Sequence, residues 1–178
     1  MIESRDVTQR LRPFIRDVPD FPKPGIVFRD ITRLLGDAAA LRTAVDEIAA
    51  AYASNGVDIV AGIESRGFIL GGAVAVALRA GFVPIRKQGR LPGPTVSASY
   101  SLEYGDAVVE MHADALKPAQ RVLIIDDLLA TGGTAAAAAS LVEQLGGNIV
   151  GIAFLVELTE LGGARALAQR PYLALIRL

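Results

Sequence analysis

The chain has no cysteine and a single histidine, His112, among 178 residues. The first lack excludes disulfides, thiolate metal sites and a cysteine nucleophile. The second excludes a multi-histidine zinc site, and it leaves a serine–histidine hydrolase only if His112 serves it. An excess of charge is also missing: 18 Lys and Arg against 19 Asp and Glu leave a net charge of −1. Such a balance does not suit binding to a nucleic-acid backbone as the main task. No long apolar run occurs. The most apolar segment, Gly67 to Leu78, meets Arg79 and falls short of the roughly 18 residues that a membrane-spanning helix needs. The start, Met1 to Asp6, has no basic stretch leading into an apolar one, so a secretory leader is not expected. No membrane partner and, by default, a cytoplasmic location follow as expectations.

What is present is a globular composition, 52% hydrophobic and 21% charged, of a length that suits one domain with its own core over residues 1–178. Strand and helix signals alternate. Asp37 can cap a helix over Ala38 to Ser54, with Leu41, Val45, Ile48 and Tyr52 at helical spacing and Gly56 as the stop. A strand over Val57 to Ala61, a helix over Gly67 to Ala80 closed by Gly81, and a strand over Phe82 to Ile85 come next. Arg121 to Asp126 reads as a strand buried on both faces. A helix over about Gly133 to Leu145 and a strand over Asn148 to Val156 complete the alternation. The predicted fold class is α/β, with a mostly parallel central sheet and helices on both faces.

Two regions interrupt it. Residues 1–36 contain Pro13, Pro19, Pro22 and Pro24, so helix there is short and loop prevails. Residues 87–94 form a polar loop, after which Ser97 to Tyr104 and Ala107 to His112 predict a hairpin turning at Gly105-Asp106. His112, at the end of an alternating strand, is taken as structural.

The richest chemical signal is Asp126-Asp127-Leu-Leu-Ala130-Thr131-Gly132-Gly133-Thr134. A buried strand ends in two carboxylates, and a short turn then opens a helix. Ligands of open α/β sheets bind beyond the carboxyl ends of the strands. The helix start offers unpaired N–H groups to a phosphate, the glycines let the backbone approach, and the threonine hydroxyls add donors. The carboxylates repel phosphate; they suit sugar hydroxyls or a magnesium ion. Phosphate at one end and vicinal hydroxyls at the other describe a ribose 5-phosphate. A tight turn with a helix cap is the plain alternative, but it leaves two acids after an apolar strand without partners. The turn has no lysine, so it is not a Walker loop, and no G-x-G-x-x-G follows a strand.

Asp126 to Thr134 resembles the signature of the type I phosphoribosyltransferases, which use phosphoribosyl pyrophosphate (PRPP). Further stretches resemble the adenine-specific branch of that family: Phe21 to Asp30, Gly62 to Phe68, Pro84 to Lys87, Leu91 to Thr95 and Tyr100 to Gly105. The resemblance implies transfer of phosphoribosyl to adenine, giving AMP and pyrophosphate, through an oxocarbenium-like transition state with Mg²⁺. It also implies a homodimer. Asp126 and Asp127 would take the ribose, and Asp126 or Asp127 would share the Mg²⁺ that PRPP mainly holds. Ala130, Thr131, Gly132, Gly133 and Thr134 would take the 5-phosphate. Ser65 and Arg66, in a loop with an unusual cis peptide, would take pyrophosphate together with Arg86 and Lys87. Val27, Phe28, Arg29 and Leu158 would form the adenine pocket, and Glu103 would move a proton on the purine. Residues of about 1–36 would form a hood, and those of about 87–105 a flexible lid. From the residues alone, core packing is the better reading of Phe28, Glu103 could equally be an exposed hairpin acid, and surface charge is the plain alternative for Arg86 and Lys87. Another base specificity, or a PRPP-sensing regulator without catalysis, are the rival functions.

Overall fold

The structure, a computed structural model, describes residues 4–102 and 105–178. Helix α1 (Ser4–Leu11) leads through a short 3-10 turn to strands β1 (Arg16–Val18) and β2 (Phe28–Asp30), which pair antiparallel as a separate ribbon. Helices α2 (Thr32–Gly36) and α3 (Ala38–Tyr52) follow, then β3 (Ile59–Ile63), α4 (Arg66–Leu78) and β4 (Gly81–Lys87). Next come β5 (Thr95–Leu102), β6 (Gly105–His112), β7 (Arg121–Leu129), α5 (Gly133–Gln144), β8 (Asn148–Glu157) and β9 (Tyr172–Arg177). The large sheet has the order β5-β6-β4-β3-β7-β8-β9. Strands β4, β3, β7, β8 and β9 run parallel, while β6 pairs antiparallel with β4 and β5 with β6.

Alternation along β7 explains the layering, because successive side chains leave a strand on opposite faces. Leu123 and Ile125 pack with Ile48 of α3 and Leu70 and Val74 of α4. Val122 and Ile124 pack with Ala138, Leu141 and Val142 of α5. The apolar run thus feeds two cores at once. The alanine-rich start of α5 lets that helix lie close to the sheet, where Ala138 and Ala139 are fully buried.

Local chemistry sets the boundaries. Asp37 caps α3 by accepting from the amides of Ala39 and Ala40 at 3.0 and 2.9 Å, a cap worth about 1 kcal/mol. The α4 stop differs from the one expected: Arg79 takes the left-handed position at φ 56°, and Gly81 already begins β4. Strand β3 runs two residues later than its apolar run suggests. Asp58 is occupied in bridging Arg121 and Gly81, and Gly62 and Ile63 extend the ladder to β4. The predicted hairpin turn is also corrected, since Gly105 and Asp106 pair with Leu102 and Ser101 inside the strands. Residues 95–102, inside the stretch expected as a lid, form β5. The β1–β2 ribbon was not foreseen among the prolines of the N-terminal segment.

Candidate active site

The carboxyl ends of β3, β4 and β7 open into one cleft of about 470 Å³. It is lined by Ser65, Arg66, Lys87, Asp126, Asp127, Ala130 and Thr134 among the expected residues, and also by Ile85, Tyr100 and Leu128. A small side hollow adds Thr131 and Gly132. The sheet order brings these residues together: β3 lies between β4 and β7, so their loops emerge side by side.

Close backbone packing holds the acidic end. A Cβ on Gly67, in the first turn of α4, would stand 2.8 Å from the Ile125 carbonyl and 3.1 Å from Asp126 Oδ1. Only glycine lets the helix start so near the end of β7. The Glu64–Ser65 peptide that leads into α4 is cis. Arg66 Nε lies 2.6 Å from Asp127 Oδ2. No donor hydrogen is aimed at that buried oxygen, so Oδ2 remains without a hydrogen bond. The Asp126 carboxylate accepts from the Asp127 amide at 2.8 Å. Loss of hydration in the cleft, reinforced by the neighbouring Asp127 charge, pushes the Asp126 carboxyl well above the usual carboxylate range.

Two hard carboxylates, one with an orphaned oxygen, fit sugar hydroxyls or a magnesium ion. Among the described residues no group of three or more acidic, histidine or cysteine side chains is arranged to hold a metal. An ion there would find at most part of its coordination shell in these two side chains.

At the other end of the cleft, Gly132 stands at φ 84° and precedes α5, and Thr131, Gly132, Thr134 and Ala135 at the helix start line the side hollow. Gly133 is the first helical residue and lines neither cavity.

The expected pyrophosphate residues separate into two groups. Ser65, Arg66 and Lys87 line the cleft. Arg86 does not: its Nε donates to Glu64 at 2.9 Å and its NH1 to the Arg90 carbonyl at 2.9 Å. Glu64 Oε2 also accepts from the Lys87 amide at 3.2 Å. Glu64 belongs to the loop that the resemblance assigns to pyrophosphate, without a role of its own; the opposite charge of Arg86 at the end of β4 was the available signal.

Of the residues expected to form the base pocket, Phe28 lies beside Arg66. The register Val18↔Phe28 sets Phe28 on the ribbon, and the Arg66 guanidinium sits 5.1 Å from the Phe28 ring centre. Phe21 meets the same ring edge-on at 5.2 Å. Arg29 pairs with Asp17 at 2.7 Å, and Val27 is exposed. Leu158 follows β8 at the same sheet edge, half-buried, with its amide on the Leu129 carbonyl. Glu103 lies outside the described residues. His112 lies on β6 opposite Thr95 and is not among the residues lining the cleft.

Residues 32–169 match the family model for the phosphoribosyl transferase domain. The adenine phosphoribosyltransferase of Paracoccus denitrificans is 60% identical over 167 residues, 94% of this chain and 89% of that one. The crystal structure of the Rhodothermus marinus adenine phosphoribosyltransferase superposes with a TM-score of 0.93 at 51% identity, covering 98% of this chain and 99% of that one. The Saccharomyces cerevisiae enzyme, crystallised with adenine and an imino-altritol bisphosphate, gives a TM-score of 0.92 at 36% identity over 97% of this chain and 99% of its own. The chain thus belongs to the phosphoribosyl transferase family and, within it, to the adenine phosphoribosyltransferases.

Proposed function

We propose that the cleft holds PRPP across its length and presents the anomeric carbon to adenine seated against Phe28. One observation supports this most: Arg66 lines the same cleft as the paired aspartates and the phosphate-type turn, and it also lies against Phe28. A base stacked there would be next to a leaving group bound by Arg66.

In this reading the amides and hydroxyls of residues 131–134 bind the 5-phosphate, and Asp126 and Asp127 accept from the ribose hydroxyls. Ser65, Arg66 and Lys87 bind the pyrophosphate, and Arg86 shapes that end through Glu64. As the bond to pyrophosphate lengthens, positive charge grows on the ribose, close to the two aspartates, while negative charge grows on the leaving group beside Arg66 and Lys87. Mg²⁺, held mainly by PRPP oxygens and in part by Asp126 or Asp127, would neutralise the diphosphate when bound.

Adenine would lie between Phe28 and Leu158, with backbone groups of Val27 and Arg29 reading its edge. A fixed carbonyl opposite the adenine amino group would oppose the carbonyl of hypoxanthine and reject it. Glu103 is assigned the proton transfer on the purine by resemblance. The loop between β4 and β5 is assigned the lid that excludes water. Its base is tied down where the Gly89 amide donates to buried Glu110 at 3.0 Å.

A homodimer is part of the proposal. Ile69, Val76 and Phe82 are exposed apolar side chains on α4 and β4, which a second copy would cover. No helix among the described residues is long and apolar enough to cross a membrane. Phosphorylated substrates and products, which do not cross bilayers unaided, suit a cytoplasmic enzyme. Nucleic acid is not an expected partner.

The test is nucleotide formation from PRPP, Mg²⁺ and one base at a time. AMP from adenine, with no nucleotide from guanine or hypoxanthine, is the expected result. No product with any base would favour a PRPP-sensing regulator.

A further inference from the structure

We propose that Gly163 is a positioning residue for PRPP, and that the segment from Thr159 to Arg170 is the template against which the phosphate-binding turn is set. This rests on the assignment of residues 130–134 to the 5-phosphate. Among the described residues no side-chain hydrogen bond fixes Thr131 or Thr134. What flanks Thr131 is backbone packing: the backbone of Gly163 lies against its two neighbours, Ala130 and Gly132.

The contact is mutual. A Cβ on Gly163 would run into the Ala130 carbonyl oxygen and stand 3.0 Å from both the Ala130 carbonyl carbon and Leu129 Cδ1. A Cβ on Gly132 would run into the Gly163 carbonyl oxygen and stand 2.8 Å from Ala166 Cβ. Two backbones therefore touch at glycines on both sides. Gly132 needs its glycine for a second reason, its φ of 84°. Gly163 has no positive φ, so an alanine there is a purely steric probe.

The template itself is anchored away from the site. Leu167 is fully buried among the residues of the α5 face. Arg170 donates through two nitrogens to the carboxylate of Glu143 on α5, at 2.9 and 3.0 Å, and through NH1 to the Leu167 carbonyl at 3.2 Å. The Thr159 amide donates to the Leu178 carbonyl at 2.8 Å. With both ends held, an added methyl group at Gly163 moves the less anchored partner, Ala130 and the turn after it. The pyrophosphate end, built from the β3–α4 loop and Lys87, does not touch Gly163. A lesion at Gly163 should thus be felt at one end of PRPP only.

The experiment titrates the wild type and Gly163→Ala separately with ribose 5-phosphate and with magnesium pyrophosphate. Misplaced phosphate donors should weaken ribose 5-phosphate binding about tenfold or more, with pyrophosphate binding within about twofold. KM for PRPP should rise while KM for adenine at saturating PRPP holds. Ala166→Val, which enlarges the other neighbour of Gly132, should show the same selective loss and decides the matter if Gly163→Ala does not fold. Undiminished ribose 5-phosphate binding, or equal loss of both ligands, overturns the proposal. Thr134→Ala separates the two levels. If it weakens ribose 5-phosphate while the template variants do not, only the role of Gly163 fails. If none of the three weakens it, the assignment of the turn fails too.

Discussion

Asp126 and Asp127 carry a conflict between stability and function. Two adjacent carboxylates in a poorly hydrated cleft cost folding energy; Arg66 pairs directly with Asp127, and its charge offsets only part of the rise at Asp126. Asp126 is held above its ordinary range by desolvation and by its neighbour's charge. A raised carboxyl pKa means that the folded state binds more protons than the unfolded one between the two values. Stability then falls as pH rises from about 3.9, the ordinary aspartate value, through the folded pKa. Asp126→Asn should therefore be more stable than the wild type in urea at pH 7, and the advantage should vanish below about pH 4. The same variant should lose about 10- to 100-fold in PRPP affinity, as expected for a charge-assisted hydrogen bond to a ribose hydroxyl. A pH-independent difference would show that the carboxyl is not perturbed. The pair was legible in the sequence because charge after an apolar strand is conspicuous. The partner of Asp127 was less so, since Arg66 is 61 positions away and only the sheet order brings it near.

Helix α4 is the element on which the acidic end depends. Its first turn supplies Arg66, and Gly67 lets it rest on the end of β7. An alanine at 67 would gain up to about 1 kcal/mol in helix propensity. It would also press a methyl group on the Ile125 carbonyl, and overpacking against backbone costs about 1–3 kcal/mol. The steric effect wins, so Gly67→Ala should lower the urea midpoint and also PRPP affinity, because Arg66 moves with the helix. A variant with unchanged midpoint and affinity would remove the close packing from the account. Most elements were readable here from caps and apolar spacing. The boundaries that moved did so for tertiary reasons. Arg79 takes a left-handed cap that Gly81 was expected to provide, and Asp58 is diverted to bridge neighbouring strands. The β1–β2 ribbon has only three residues a side, too short for periodicity to register. Its register is held by pairs such as Asp17–Arg29 and Arg16–Asp30, which become visible only once the strands face each other.

For the molecule as a whole, the parallel strands supply a fixed edge, and the rest of the chain is arranged around it. The N-terminal ribbon brings Phe28 to Arg66, and β5 and β6 extend the sheet beside the β4–β5 loop. Helix α1 is tied to the opposite edge, where Thr8 donates to the Leu175 carbonyl at 3.0 Å. The paired aspartates and the turn proposed to bind the sugar phosphate were legible together, since they lie within nine consecutive residues, 126–134. The proposed base end draws on Phe28 and Leu158, about 130 positions apart, and only the family resemblance joined them in advance. The role of residues 159–170 was hidden because it lies in backbone contact, which leaves no mark on side-chain pattern beyond a pair of glycines. The most direct measurement is a crystal structure of the protein with AMP. The phosphate is expected on the amides of 131–134, the ribose hydroxyls on Asp126 and Asp127, and the purine against Phe28. A nucleotide bound elsewhere, or one with its phosphate at Arg66 and its base at the 131–134 turn, would contradict it.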